Sequence, residues 1–232
     1  MLKGTPEECR GATWIIIPAY NEVTVIADVV AQVRRSGHSV VLVDDGSSDG
    51  TAAAVAGQCP VIQHPINLGQ GAALQTGLTY ALAQGAEFIV TFDADGQHRV
   101  SDISALLCAL VTHRADFALG SRFLGSTVNM PPSRRVLLAA ATWFTRATTG
   151  LALTDAHNGL RAMTRRGAGH IKLRQNRMAH ASEILDQIAA SGLKYVEVPV
   201  TIEYGGYSLG KGQRSSEAID ILLDLYSRRL HQ

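Results

Sequence analysis

Several residue types are scarce in this chain of 232 residues, and each scarcity excludes a class of protein. Only three cysteines are present, Cys9, Cys59 and Cys108, which are too few and too scattered for a disulfide framework or a zinc cluster. Lysine is rare, since seventeen of the 21 basic residues are arginine. Charged residues make up 18% and hydrophobic residues 46%, a balance that is typical of a globular protein and excludes a disordered one.

Long apolar runs are also missing. Residues 51–86 contain no Asp, Glu, Lys or Arg, but Pro60, Pro65 and several amide side chains interrupt them, and residues 136–145 form a run of only ten. A membrane-spanning helix needs about 20 mostly apolar residues. The first eight residues are partly acidic and do not resemble a signal peptide. We therefore expect a cytoplasmic protein, either soluble or bound peripherally at the inner face of the membrane.

The net charge of +1 hides a division along the chain. Residues 1–120 carry twelve acidic and six basic side chains (−6), whereas residues 121–232 carry eight acidic and fifteen basic ones (+7). The planar guanidinium of arginine suits phosphate, so we expect the second half to bind an anionic ligand. We expect no nucleic-acid partner, and a homo-oligomer is left open.

Short apolar runs alternate with helical stretches, which predicts an α/β fold with a mostly parallel sheet covered by helices on both faces. Strands are predicted at residues 14–18, 40–43, 60–64, 87–92 and 116–120, and helices at 23–35, 51–56, 71–84 and 101–112. After these come helices at 134–149 and 179–190, an edge strand at 159–163, an extended run at 195–204 and an amphipathic helix at 215–230. We interpret residues 1–232 as one domain, with a nucleotide- and metal-binding half (1–120) and an acceptor half (121–232).

Polar motifs follow the predicted strands, at the sheet edge where open parallel sheets bind ligands. Asp93 and Asp95 leave one strand together, and Gln97 follows them. These oxygen ligands suit Mg²⁺ or Mn²⁺, and two carboxylates this close resist joint ionisation unless a cation lies between them. Asp45 follows another strand, where an aspartate commonly accepts hydrogen bonds from a ribose or a base. His98 and His157 lie in loops and are expected to be solvated.

The ordered set of motifs resembles glycosyltransferase family 2, in the branch of the dolichyl-phosphate mannose synthases and related bacterial enzymes. The matching segments are Pro-Ala-Tyr-Asn-Glu (18–22), Val-Asp-Asp-Gly-Ser-Ser-Asp-Gly-Thr (43–51), Asn-Leu-Gly-Gln-Gly-Ala (67–72), Asp-Ala-Asp-Gly-Gln-His (93–98), Gly-Ser-Arg (120–122), Asn-Gly-Leu-Arg (158–161) and Glu-Val-Pro-Val (197–200). The resemblance implies a Rossmann-like GT-A fold, a UDP- or GDP-sugar donor, a divalent metal and inversion at the anomeric carbon.

The resemblance also implies roles for individual residues. The nucleotide-sugar would be bound by Pro18, Tyr20, Glu22, Asp45, Gly71, Asp93, Ala94 and Asp95, and the metal by Asp93, Asp95 and Gln97. Arg122 would face an acceptor phosphate. Two departures from the family pattern stand out, because Gln70 occupies a position that often holds lysine, and residues 204–213 differ from the usual late motif.

The acceptor is the most open question. A lipid phosphate is already an anionic nucleophile and needs cations, which Arg122, Arg134, Arg161 and Lys211 could supply in the second half. A sugar hydroxyl would instead need a general base, for which Asp155 is the best-placed candidate and Glu183 stands behind it. Asp155 and Arg122 are therefore the candidate catalytic residues, and a polyprenyl phosphate is the acceptor we favour.

Two other classes of protein compete with a transferase. A dehalogenase-type phosphatase could use Asp93 and Asp95 as nucleophile and acid, although Gln97 replaces the usual Thr or Val and lysine is scarce. A non-catalytic nucleotide-sugar binding module is the other alternative. A burst of free nucleotide diphosphate in the presence of an acceptor would distinguish the transferase from the binding module, and release of free phosphate would favour the phosphatase.

Overall fold

A seven-stranded sheet forms the centre of the computed structural model, which describes residues 12–176 and 179–204. The strands are β1 (Thr13–Ala19), β2 (Ser39–Asp44), β3 (Val61–Gln63), β4 (Phe88–Thr91), β5 (Phe117–Val128), β6 (Arg161–Thr164) and β7 (Tyr195–Glu203). The helices are α1 (Ile26–Arg35), α2 (Thr51–Ala54), α3 (Gln70–Ala83), α4 (Ser101–His113), α5 (Pro132–Thr149), α6 (Arg165–His170) and α7 (His180–Ser191).

The strand order is β3-β2-β1-β4-β6-β5-β7, and β6 alone runs against its neighbours within this sheet. The other six strands are parallel, so the carboxyl ends of β1, β2, β4 and β5 lie along one edge of the sheet. The predicted α/β fold with a mostly parallel sheet is confirmed. Polar motifs follow β1, β2 and β4, as predicted. The Gly-Ser-Arg motif (120–122) instead lies inside β5, because this strand continues to Val128 and does not end at residue 120. It still reaches the same edge, since Leu119 is level with the last residue of β4, Thr91, and residues 120–122 extend past it.

Both faces of the sheet are buried, which explains why its strands read as continuous apolar runs. In β1, Ile15 and Ile17 pack into a core with α1 and α4, whereas Ile16 faces the opposite core with α3 and α7. All three isoleucines are fully buried. A strand alternates its side chains between the two faces, and helices on both sides therefore require apolar residues at every position.

The strand predicted at the sheet edge is an interior strand in the structure. Strand β6 lies between β4 and β5 and pairs antiparallel with both, and all four of its residues are buried. A four-residue segment has no sequence signal that distinguishes an edge from an interior position once its pairing depends on distant strands. The short helix α6, which follows β6 directly, was not predicted from the sequence.

Two predictions fall outside the described residues, namely the amphipathic helix at 215–230 and the phosphate ligand Lys211. Within residues 12–176 and 179–204, every helix is too short or too polar to cross a bilayer. The boundary between the two halves of the chain, at residue 120, falls inside β5, so one sheet includes strands from both.

Candidate active site

The loops that follow β1 and β2 are tied together by side chains that bond to backbone N–H groups. Asn21, which has a left-handed backbone (φ 53°), donates its N–H to Ser47 Oγ at 2.9 Å, and Glu22 donates to Thr51 Oγ1 at 2.8 Å. These bonds place Tyr20 at the surface, where 46% of it is exposed. Tyr20 directly follows β1, whose last residue, Ala19, pairs with the last residue of β2, Asp44.

Asp45 is buried directly after β2, and its carboxylate accepts hydrogen bonds from the loop that follows β3. Its Oδ1 accepts from Leu68 N at 3.0 Å, and its Oδ2 accepts from Gly69 N at 2.6 Å. His64 Nδ1 lies 2.7 Å from the same Oδ1. Asp45 as a whole residue is 3% exposed. A carboxylate has about four lone-pair sites, so three protein contacts leave Asp45 with one acceptor site, on Oδ2.

Asp93 lies just beyond the carboxyl end of β4, and its carboxylate contacts polar side chains. Its Oδ2 is 2.9 Å from His98 Nε2, and its Oδ1 accepts from Gln70 Nε2 at 3.3 Å. Burial by itself raises the pKa of Asp93, but the His98 hydrogen bond and the charges of His98 and Arg161 outweigh it and hold that pKa below its usual value. His98 contradicts the expectation of a solvated ring, because its side chain is only 3% exposed.

The pKa of Asp95 is shifted in the opposite direction from that of Asp93. Burial, followed by repulsion from the Asp93 carboxylate, raises the pKa of Asp95 to about 6. Two carboxylates that repel each other in this way fit a divalent cation, which relieves the repulsion. Within the described ranges, no group of three or more His, Cys, Asp or Glu side chains is arranged to hold a metal ion. A two-carboxylate site suits Mg²⁺ or Mn²⁺ that keeps positions for water and phosphate oxygens.

The segment 158–161 packs directly under the Asp93 carboxylate. A Cβ on Gly159 would lie 2.5 Å from Asp93 Oδ1 and closer still to its Oδ2, so only glycine allows this approach. Arg161 follows in β6 and is 4% exposed. Burial lowers the pKa of Arg161 to about 10, against the charges of Asp93 and Asp155. Arg161 is therefore a buried cation at neutral pH, and the charges of Asp93 and Asp155 favour its protonated form.

Arg122 and Asp155, both predicted as catalytic, are paired with each other. Arg122 Nε lies 2.6 Å from Asp155 Oδ2, and their side chains are 6% and 0% exposed. Arg122 also donates from Nη1 to Tyr204 Oη at 2.9 Å and from Nη2 to the carbonyl of His157 at 2.8 Å. Burial lowers the pKa of Arg122, but Asp155 and Tyr204 more than reverse this and raise it above the usual value. Three of the five guanidinium N–H groups are thus used.

Tyr204 and Glu197, neither of which was assigned a role from the sequence, hold this cluster together. The Arg134 guanidinium carbon lies 5.1 Å from the centre of the Tyr204 ring, a cation–π contact that brings the start of α5 to the cluster. Glu197 accepts from Thr154 N at 2.8 Å and from Asp155 N at 3.2 Å. Arg122, Arg134 and Asp155 are therefore neighbours because of side chains on or directly after β7.

Gly71, which the resemblance assigns to nucleotide-sugar binding, contacts another segment of the protein. Its N–H donates to the carbonyl of Asn176 at 2.9 Å, and a Cβ at Gly71 would meet the Gln175 carbonyl oxygen and His180 Cβ. Glu183, the second candidate base, accepts from the backbone N–H of Arg174 and of Gln175. The segment 174–176 thus lies across the beginning of α3, beside Gln70.

Comparison with known proteins decides the family. Residues 14–168 match the model of the family described as Glycosyl transferase family 2. The chain belongs to this family. The family assignment and the resemblance read from the motifs agree, and the assignment does not support the phosphatase alternative.

Two family relatives cover most of the chain. Polyprenol monophosphomannose synthase of Mycolicibacterium smegmatis is 34% identical over 203 residues, which are 82% of this chain and 76% of that protein. UDP-N-acetylglucosamine–dolichyl-phosphate N-acetylglucosaminyltransferase of Methanococcus voltae is 31% identical over 222 residues, covering 86% and 88%. The name of the first relative contains polyprenol monophosphomannose, and the name of the second contains dolichyl phosphate.

A solved structure shares the fold. Glucosyl-3-phosphoglycerate synthase from Mycobacterium tuberculosis, in complex with Mn²⁺, UDP and glucosyl-3-phosphoglycerate, matches with a TM-score of 0.72 at 18% identity, covering 97% of this chain and 85% of that one. The GT-A fold expected from the resemblance is therefore confirmed.

The structure brings most of the predicted site residues of this family 2 member to one edge of the sheet. Pro18 and Ala94 are buried there, and Tyr20 is exposed. Gln97 is half-buried, and its backbone carbonyl accepts from Glu203 N at 3.0 Å. His157, which was expected to be solvated, is instead largely buried, and this burial lowers its pKa to about 4.

The residues that sequence reasoning missed are those whose partners lie far away in the chain. Tyr204 is 82 residues from Arg122, and His64 is 19 residues from Asp45. The Glu-Val-Pro-Val segment at 197–200 was recognised as a motif, and that was the one signal that could have directed attention to Glu197.

Proposed function

We propose that this family 2 glycosyltransferase moves a sugar from a nucleotide-diphosphate sugar to a polyprenyl phosphate, with inversion, at a membrane surface. The observation that carries the choice of acceptor is the pairing of Asp155 with Arg122. A hydroxyl acceptor needs a general base, and the best-placed carboxylate is fully buried and neutralised by an arginine. A phosphate acceptor needs no base, and the names of both relatives support it.

The donor would lie along the carboxyl ends of β1, β2 and β4. Pro18, Tyr20 and Glu22 would line the nucleoside pocket, together with Asp45, whose remaining acceptor site on Oδ2 suits one donor group of a base or ribose. Ala94 is flanked by the two acidic residues at the mouth of β4 and would face the same ligand.

A divalent metal would be held by Asp93 and Asp95, with Gln97 as a further oxygen ligand. The raised pKa of Asp95, caused first by burial and then by repulsion from Asp93, supports this site, because a bound cation would stabilise the charged form of both carboxylates. The related fold of glucosyl-3-phosphoglycerate synthase holds Mn²⁺ together with UDP. When bound, Mg²⁺ or Mn²⁺ neutralises charge on the diphosphate leaving group.

The arginines would position the acceptor phosphate and stabilise the developing negative charge. Arg122 retains two N–H groups, one on each terminal nitrogen, after its contacts with Asp155, Tyr204 and the carbonyl of His157. Asp155 would act as a positioning residue that fixes the guanidinium plane. Arg134 is placed beside the same Tyr204 ring and would provide a second cation. Such preorganised charges cost no reorganisation during the reaction.

Helix α5 offers a surface for a membrane. Val136 and Trp143, seven residues apart and hence on one face, are each 71% exposed. Arg135 and Arg146 are also exposed, and α5 contains no acidic residue. Exposed apolar residues flanked by arginines are typical of a helix at the surface of an anionic bilayer. Because Arg134, the third residue of α5, contacts the Tyr204 ring, this surface adjoins the proposed phosphate site.

The test is a reconstituted transfer assay. The purified protein is mixed with Mg²⁺ or Mn²⁺, a panel of UDP- and GDP-sugars, and vesicles that contain a polyprenyl phosphate. Formation of a glycosylated lipid phosphate together with nucleotide diphosphate supports the proposal. Vesicles without the lipid phosphate serve as the control, and free sugars serve as the alternative acceptors. Efficient transfer to a free sugar hydroxyl, with none to the lipid phosphate, would refute it.

A further inference from the structure

We propose that His64 is a positioning residue that fixes the loop on the nucleoside side of the site by holding the Asp45 carboxylate. The inference rests on the proposed donor site and adds a residue that acts on it from behind. His64 follows β3, is 9% exposed, and contacts polar groups through both ring nitrogens. It bonds to the end of β2 on one side and to helix α3 on the other.

The hydrogen bonds define the state of the ring. Asp45 accepts N–H bonds from Leu68 and Gly69, so its carboxylate acts as an acceptor. The contact of 2.7 Å between His64 Nδ1 and Asp45 Oδ1 therefore has its proton on the nitrogen. The Nε2 atom lies 3.0 Å from Thr76 Oγ1 in α3. The imidazole thus connects a strand end with a helix through two directional bonds.

The loop that this connection supports has little apolar packing of its own. Ile66 is 63% exposed and Leu68 is 40% exposed, so burial of their side chains contributes little to holding the loop. Its backbone lies close to Gly46, where a Cβ would come within 2.5 Å of the carbonyl carbon of Ile66. Hydrogen bonds to the Asp45 carboxylate therefore hold this loop in place, and His64 sets the orientation of that carboxylate.

The position of this loop affects both ends of the donor site. Through Leu68 N and Gly69 N it bonds to Asp45, on the proposed nucleoside side. It also leads directly into α3, whose first residue, Gln70, donates to Asp93 Oδ1 at 3.3 Å. A shift of the loop therefore displaces the nucleoside wall and the partner of the carboxylate pair together. We expect loss of His64 to weaken donor binding and to leave the chemical step on bound donor nearly unchanged.

Two substitutions separate the two bonds of the ring. The amide nitrogen of asparagine reaches the place of Nδ1, whereas that of glutamine reaches the place of Nε2. His64→Asn keeps a donor to Asp45, and His64→Gln keeps only the bond to Thr76. We expect His64→Gln to raise the donor KM about tenfold, which equals about one net hydrogen bond, with kcat changed by less than about twofold. His64→Asn should keep the donor KM within about threefold of the parent. His113→Gln, at an exposed histidine, is the matched control.

A second measurement does not depend on the enzymatic activity. Amide hydrogen exchange of Leu68 and Gly69 in the donor-free protein should accelerate in His64→Gln and stay close to the parent rate in His64→Asn. Thr76→Val, which removes only the outer bond, should give an intermediate rate. If the parent binds no nucleotide-sugar, the proposed function fails while the exchange rates still test this inference. Unchanged exchange at these two amides in His64→Gln would overturn it, as would equal losses in both His64 variants.

Discussion

Asp155→Asn removes one charge from a buried ion pair while keeping the size of the side chain. Arg122 Nε and Asp155 Oδ2 are 2.6 Å apart, and the two side chains are 6% and 0% exposed. Removing one partner of such a pair costs about 3–5 kcal/mol of folding stability, because the other charge stays buried without compensation. The amide oxygen of asparagine still accepts one bond, so we expect the lower value, about 3 kcal/mol.

This loss is large enough to measure in two ways. In a protein of about 200 residues, each kcal/mol lowers the Tm by about 2–4 °C, which predicts a shift of about 6–12 °C. Urea unfolding of Asp155→Asn, Arg122→Met and the double variant completes a double-mutant cycle. The double variant should lose less stability than the sum of the single variants, because neither charge is then left unpaired. A urea midpoint of Asp155→Asn equal to that of the parent would refute the reasoning.

The same pair decides between the two acceptors. Arg122→Ala should impair transfer to a polyprenyl phosphate far more than it impairs donor binding, and transfer by the parent should decline as salt rises. Asp155→Asn should reduce this transfer as well, because the guanidinium loses its fixed orientation. Transfer to a sugar hydroxyl that Asp155→Asn abolishes, and to which Arg122→Ala is indifferent, would show that Asp155 is a base and that the acceptor assignment is wrong.

Four further predictions concern single side chains. Asp95→Asn should fold normally and lose most donor turnover, and a chelator should have the same effect on the parent; full activity of this variant without metal would contradict the metal site. Asp45→Ala should weaken donor binding by about one to two factors of ten, from about 1.5–3 kcal/mol, and unchanged affinity in calorimetry would remove Asp45 from the pocket. Burial by itself raises the pKa of Asp116, but hydrogen bonds from Arg166 and a threonine hydroxyl hold it below its usual value. The contribution of ionised Asp116 to stability is therefore present above about pH 4 and is lost as the pH falls through the lowered pKa. Asp116→Asn should flatten the decline of the urea midpoint between about pH 5 and pH 2. An unchanged decline would argue against the pairing of Asp116 with Arg166. Trp143→Ser should reduce the fraction of protein that sediments with anionic vesicles while leaving the Tm unchanged. A fraction equal to that of the parent would exclude α5 as the membrane surface.

The sequence by itself determined the sheet and the edge at which the site lies. The residues of β1 are apolar on both faces, because helices cover both sides of a parallel sheet, and this pattern is visible without coordinates. The turns after β1, β2 and β4 carry polar motifs, and strand direction alone brings them together. Asp93 and Asp95, two positions apart, were recognisable as a candidate metal site because so short a spacing keeps their carboxylates close.

Only the tertiary structure decided which charges are paired. Asp155 and Arg122 are 33 residues apart, and their contact depends on β7, which supplies Glu197 and leads into Tyr204. The interior position of β6 likewise depends on β4 and β5, which flank it from distant parts of the chain. A charge in a sequence shows what a side chain could bind. Its partners and its burial, which decide whether it acts as a base, a ligand or a support, follow from the packing of elements that are distant in the sequence.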